Sequence, residues 1–327
     1  MSRAVQRRRG GGEEASEAPA RSASKVAYDP EEERRTSSVT TRPVLTLMEE
    51  VLLLGLKDEQ GLLSFWNDSL SYVLRGCILL ELALQGKIAV VNVPQRKQYS
   101  LSERKLEVTN DTLTGEVLLD ETIKLMKETE PMSASDWMDA LSGETWSISK
   151  IGLHLKQVRE RLSKGLVDKG ICRTEKMSFI LFDMATHPVV DFSAKAEIRA
   201  RVFKLLNATT YTPEYPDTHY FPSSLPLKTL RTVALAVSSY AANVLENLYA
   251  SSSYDARDAA YLKVDELLAD YSEFPFASQS KSTWGTSIFR SIVQDITEAE
   301  KSGEQLDLRL EVIAAVFRRF LQLDEVL

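Results

Sequence analysis

Residues 68–84, DSLSYVLRGCILLELAL, constrain the fold of this chain more than any other stretch. Leu70, Val73, Leu74, Cys77, Ile78, Leu82 and Leu84 recur at helical spacing and leave little polar circumference, the pattern of a helix enclosed by others. Asn67 or Asp68 can cap its start, and Gly86 can close its end in a left-handed conformation. A shorter helix is predicted before it, because Thr46 and Glu49 have capping-box spacing and the apolar run continues to Leu56. A chain organised on this pair must be a helical assembly. Arg75 is the exception within it: a permanent charge in so apolar a helix needs water or an anion at its head. Trp66 stands just before the helix start, where backbone N–H groups favour anions. An aromatic, a helix N-terminus and a lone arginine make a candidate phosphate site.

The flanking sequence fills in the architecture. Residues 1–43 have no hydrophobic periodicity and are rich in Arg, Glu, Ser, Gly and Ala, which predicts a disordered tail ahead of a folded domain over 44–327. Arg7, Arg8 and Arg9 cluster inside that tail, either as a solvated charge run or as a short basic peptide for an acidic partner surface. A first β-hairpin is expected from 87–92 pairing back with 106–109. Helices follow to Glu128 and over 135–141. Another is predicted over 151–169, with Leu155, Val158, Leu162 and Leu166 as its core stripe, Lys156 and Arg159 on one flank and Arg161 on the other. Gly170 ends it, and a second hairpin is predicted over 171–182 with 175–178 at its tip. Its run Phe179 to Phe182 is apolar on both faces, which fits a buried strand or an exposed contact surface. Helices over 189–206, 228–249, 255–271, 283–301 and 306–323 complete the chain. The fold class is therefore mainly α: a single helical domain with two β-hairpins, preceded by a disordered N-terminal tail.

Charge and motifs narrow the function. The net charge of −7 gives no global attraction to nucleic acid or anionic lipid, so any such contact must use a local basic patch. Cys77 and Cys172 sit in apolar surroundings and read as buried thiols of a reducing compartment. The longest uncharged helical run, 232–245, is too short and too rich in Ser and Asn to cross a bilayer, and residues 1–20 hold no apolar leader, so membrane contact is expected to be peripheral. His154, His187 and His219 have no partner at metal-ligand spacing, and neither a phosphate-binding loop nor a nucleophile elbow occurs. The chain reads as a non-enzyme with no metal or cofactor. Two binding classes remain. The repeated order of helix, Gly and hairpin suggests a winged-helix nucleic-acid binder, but the apolar first helix and the acidic charge count against it. The other class is a phosphoinositide-reading adaptor.

A resemblance favours the adaptor. LTLMEEVLLLGL (45–56), SFWNDSLSYVLRGC (64–77), LSGETW (141–146), VRERLSKGLVDKG (158–170) and LFDMATHP (181–188) together resemble the Golgi phosphoprotein three family, whose fungal members act in vacuolar sorting. The resemblance implies a peripheral protein on the cytoplasmic face of Golgi membranes, with a cytosolic pool. It would bind phosphatidylinositol 4-phosphate membranes and coatomer, and would retain glycosyltransferases through their cytosolic tails. It places the headgroup site at Trp66, Arg75, Lys156 and Arg159, and coatomer binding at Arg7, Arg8 and Arg9. Lys156 stands where other members have Arg, which keeps the charge without the bidentate fork. Self-association into a homo-oligomer is implied for the second hairpin, through Lys176, Met177, Ser178, Phe179 and Ile180; the competing account has the hairpin tip entering the bilayer. Nucleic acid is not an expected partner. Arg75→Ala and Arg159→Ala are both expected to weaken lipid binding with the fold intact.

Overall fold

The capping box at Thr46 forms: Thr46 N–H donates to Glu49 Oε2 at 2.9 Å, and Glu49 N–H donates to Thr46 Oγ1 at 3.4 Å. It opens α1 (Leu47–Gly55), which is buried along its whole length, Glu49 and Glu50 included. The structure is a computed structural model that describes residues 43–63, 68–144, 148–178, 183–277, 282–301 and 306–324. The expected tail, Arg7, Arg8 and Arg9 among it, therefore lies outside the described residues, as do Trp66, Trp146, Phe179 and Ile180.

Helix α2 (Asp68–Leu84) is buried from Tyr72 to Leu84. It packs against α1, α4 (Ala134–Ser142), α7 (Lys228–Ala241) and α11 (Asp307–Asp324), so it is the central helix that its sequence predicts. It ends in a Schellman motif, with Gly86 at φ 67°, Lys87 N–H donating to Leu82 O at 2.8 Å and Gly86 N–H to Ala83 O at 3.0 Å. Strands β1 (Ile88–Val90) and β2 (Leu106–Val108) follow and pair antiparallel, with Ala89 opposite Glu107. Helix α3 (Val117–Glu128) then leads to α4. The same construction recurs in α5 (Val158–Asp168), closed by Gly170 at φ 75° and followed by β3 (Glu175–Ser178) and β4 (Asp183–Thr186). The remaining helices are α6 (Phe192–Asn207), α7, α8 (Leu245–Tyr249), α9 (Tyr254–Tyr271), α10 (Thr283–Lys301) and α11.

Three expectations need correction. The helix predicted over 151–169 is two elements, a 3₁₀ helix (Ile148–Leu153) and α5, with Leu155 to Gln157 between them. The second hairpin is shifted: residues 175–178, expected at its tip, form β3 and pair with β4 so that Lys176 faces Ala185 and Met177 faces Met184. The long helix predicted over 228–249 breaks into α7 and α8 at a second Schellman motif, in which Asn243 takes φ 53° and Val244 N–H donates to Ser239 O at 2.9 Å.

The two N-terminal helices also hold buried carboxylates. Glu81 on α2 is fully buried and accepts from Arg231 on α7 (Nη1 at 3.1 Å, Nη2 at 2.6 Å), from the Leu47 amide at 2.8 Å and from Gln85 Nε2 at 2.7 Å. Glu50 pairs with Arg201 on α6, whose guanidinium also stacks 4.1 Å from the Phe221 ring centroid. Lys169, just past α5, bridges Glu49 at 2.7 Å and Glu116 at 2.6 Å. The pairs of Glu49, Glu50 and Glu81 each join α1 or α2 to an element far along the chain. Cys77 and Cys172 are free and buried.

Candidate functional site

Arg75 projects from α2 into a loop that its own side chain organises. Its Nε donates to Leu141 O at 3.3 Å, its Nη2 to Leu155 O at 2.7 Å, and its Nη1 to both Ser71 O and Ser71 Oγ at 2.7 Å. A guanidinium has five N–H groups, and these four bonds among the described residues use four of them. The residue is 4% exposed. The sequence led us to expect water or an anion at this head; main-chain carbonyls occupy most of it instead. Burial, then the neighbouring charge of Arg159, pull the guanidinium down to about 10, which still leaves it protonated at neutral pH.

The clamp explains why the predicted helix is interrupted. Leu155 N–H donates to Leu141 O at 3.0 Å while its carbonyl accepts from Arg75. With both backbone groups of Leu155 engaged across the fold, no helical hydrogen bond can pass through it. Gln157 then turns the chain in a left-handed conformation and starts α5 without a side-chain cap. Lys156 therefore lies on the turn before α5, and Arg159 lies in its first turn. Both are exposed, and among the described residues neither is engaged by a carboxylate. Arg161 faces elsewhere and pairs with Glu121 of α3.

His154 sits within the same loop. Burial lowers its pKa, and the charges of Arg75 and Lys156 lower it further. Its ring abuts the end of α4, where a Cβ added at Gly143 would stand 3.1 Å from His154 Cγ. Arg75 holds the Leu155 carbonyl, so Lys156 on the next residue and Arg159 in the first turn of α5 follow directly on the segment it clamps, and the charge of Arg159 lowers the Arg75 pKa. Trp66 lies outside the described residues. A monoester phosphate suits such an arrangement: several cationic donors from separate elements, beside the uncapped amides of a helix start. The sequence signalled the charges. It did not signal the carbonyl clamp, although Ser71, one helical turn before Arg75, is the kind of residue that shares a donor with its own carbonyl.

The family model for Golgi phosphoprotein 3 (GPP34) matches residues 47–296, from the first residue of α1 into α10. The chain belongs to the Golgi phosphoprotein 3 family. It is 50% identical over 303 residues to Vacuolar protein sorting-associated protein 74 of Schizosaccharomyces pombe, covering 93% of this chain and 88% of that one. It is also 47% identical over 304 residues to the protein of the same name in Eremothecium gossypii, covering 93% and 90%. The Golgi phosphoprotein 3 match contains the whole cationic loop and both hairpins. Among the described residues of this family member, no helix is long and apolar enough to cross a membrane. Nor do three His, Cys, Asp or Glu side chains gather there as a metal site would require.

Proposed function

We propose that this Golgi phosphoprotein 3 family member is a peripheral, non-enzymatic adaptor on the cytoplasmic face of Golgi membranes. In this reading Lys156, Arg159 and Trp66 contact the headgroup of phosphatidylinositol 4-phosphate. Arg75 positions the loop and contributes its charge. Arg7, Arg8 and Arg9 engage coatomer, and together these contacts retain glycosyltransferases through their cytosolic tails. Self-association through the hairpin, residues 176–180, would place several such sites on one bilayer and raise their combined avidity. The observation that carries the reading is that Arg75 clamps the Leu155 carbonyl directly before Lys156 and Arg159, which flank an uncapped helix start. Among the described residues neither Lys156 nor Arg159 is paired with a carboxylate, although the chain carries a net charge of −7.

Flotation with vesicles that differ only in phosphoinositide content tests it. Arg159 is exposed and among the described residues ties down no other element, so Arg159→Ala should keep the wild-type melting temperature. It should lose at least about tenfold in affinity for phosphatidylinositol 4-phosphate vesicles, since one specific phosphate contact exceeds the roughly 1 kcal/mol of a juxtamembrane cation. Flotation equal to wild type would remove Arg159 from the site, and equal binding to duplex DNA would remove the lipid reading altogether. The tail is tested separately. Changing Arg7, Arg8 and Arg9 together to Ala is expected to abolish coatomer pull-down with flotation retained; the reverse pattern would reassign the tail to lipid.

A further inference from the structure

We propose that Ile151 is a membrane-inserting residue, an apolar wedge that enters the acyl region of a bilayer while the cations beside it take the headgroup. The inference rests on the lipid reading of the site above and adds a second, apolar contact to it. Ile151 is 61% exposed on the 3₁₀ helix (Ile148–Leu153). The next position is open as well: a Cβ added at Gly152 would meet nothing within 4 Å. The same short stretch sends Leu153 and Leu155 into the core, at 9% and 0% exposure, so Ile151 points outward where its apolar neighbours point inward.

A single exposed isoleucine is ordinary on a protein surface. Its surroundings give this one a direction. The Ile151 carbonyl accepts the His154 amide at 3.4 Å, which holds the residue one tight turn before Leu155, whose carbonyl Arg75 clamps, and Lys156. Exposed apolar and cationic side chains therefore leave the domain from one loop. A bilayer with anionic headgroups meets both demands, since phosphate lies at its surface and hydrocarbon a few ångströms below. The acidic chain as a whole is repelled by such a surface, and an apolar contact is unaffected by that repulsion.

Two variants test the proposal. Ile151→Ser is expected to bind phosphatidylinositol 4-phosphate vesicles about tenfold or more weakly, the scale of losing most of one buried isoleucine side chain. Its affinity for a soluble short-chain phosphatidylinositol 4-phosphate should be unchanged. The indole of Ile151→Trp should be quenched by lipids brominated along the acyl chain. Wild-type vesicle affinity in Ile151→Ser together with an unquenched indole would overturn insertion. An equal loss toward the soluble headgroup would overturn it too, because Ile151 would then act through the shape of the headgroup site. A lipid-free change in sedimentation of Ile151→Ser would assign the side chain to a contact between copies instead. If the wild type ignores the headgroup, it is the lipid reading that fails. Insertion is then judged on brominated phosphatidylserine vesicles, where quenching upholds it and its absence rejects it.

Discussion

Replacing Arg231 by Met should destabilise the domain by roughly 3–5 kcal/mol, the range found when one partner of a buried ion pair is removed. Glu81 would keep the Leu47 amide and Gln85 Nε2 but lose both guanidinium bonds, leaving a carboxylate uncompensated at zero exposure. Burial alone would raise the Glu81 pKa, yet the charge and hydrogen bonds of Arg231 hold it below the ordinary value. A depressed carboxylate stabilises the fold above its unfolded pKa and loses that contribution as the pH falls through the folded one. Without Arg231 the sign reverses: Glu81 would titrate above its unfolded value and favour the protonated form. The gap between variant and wild type should therefore narrow on going from neutral pH towards pH ~5. Urea titrations at both pH values measure it. The double change Arg231→Met with Glu81→Met should recover most of the loss; a double variant as unstable as the single one would mean that packing of Arg231, not the stranded charge, sets the cost.

Arg75→Ala is the second large effect, and it differs in kind from Arg159→Ala. Two of the four hydrogen bonds from this guanidinium reach across to the loop, so truncation strips Leu155 O of its side-chain donor, leaves Leu141 O with the Leu155 amide alone and removes the Arg75 donor from both Ser71 oxygens. A loss of about 3 kcal/mol is expected, given that bonds to a charged donor contribute about 1.5–3 kcal/mol each and do not add. Lipid binding should fall with it, since Lys156 and Arg159 depend on the turn that Leu155 anchors. The expectation of an intact fold, reasonable for a solvent-facing arginine, is thereby withdrawn for Arg75 and kept for Arg159. Arg75→Lys should rescue neither property, because an ammonium cannot span three separate acceptor groups. Thermal melts paired with flotation separate the roles: binding lost at an unchanged melting temperature would make Arg75 a direct ligand.

Much of this molecule is legible from local signals. The capping box at Thr46, the apolar circumference of α2 and the glycines at 86 and 170 each act within a few residues, and each element follows. The misreadings arise where distant atoms decide. Leu155 has a good core position for a helix, but its backbone is claimed by Leu141 and by Arg75, 80 residues away. The second hairpin was placed too early because Glu175–Ser178 is largely exposed, with no alternation of buried and solvent-facing residues to fix its register. The break at Asn243 had a local signal, since Asn tolerates the left-handed conformation, and the small apolar residues around it obscured it. Glu49, Glu50 and Glu81 are invisible as an ionic core because their partners lie 120, 151 and 150 residues along the chain. The charges of the site were readable. Their convergence was supplied only by resemblance.

The acceptors of Arg75 bear on how such a site persists through sequence drift. Three of its four bonds end on main-chain oxygens, which every amino acid carries at positions 71, 141 and 155. The side chains there can change, within the limits of core packing, without altering what the guanidinium holds. Loop length has no such latitude, because one residue inserted or deleted over 142–154 would move the Leu155 carbonyl relative to that of Leu141. Natural variation in this loop should therefore appear as substitution at constant length, and a graft onto another helical scaffold would need to carry its spacing before its sequence.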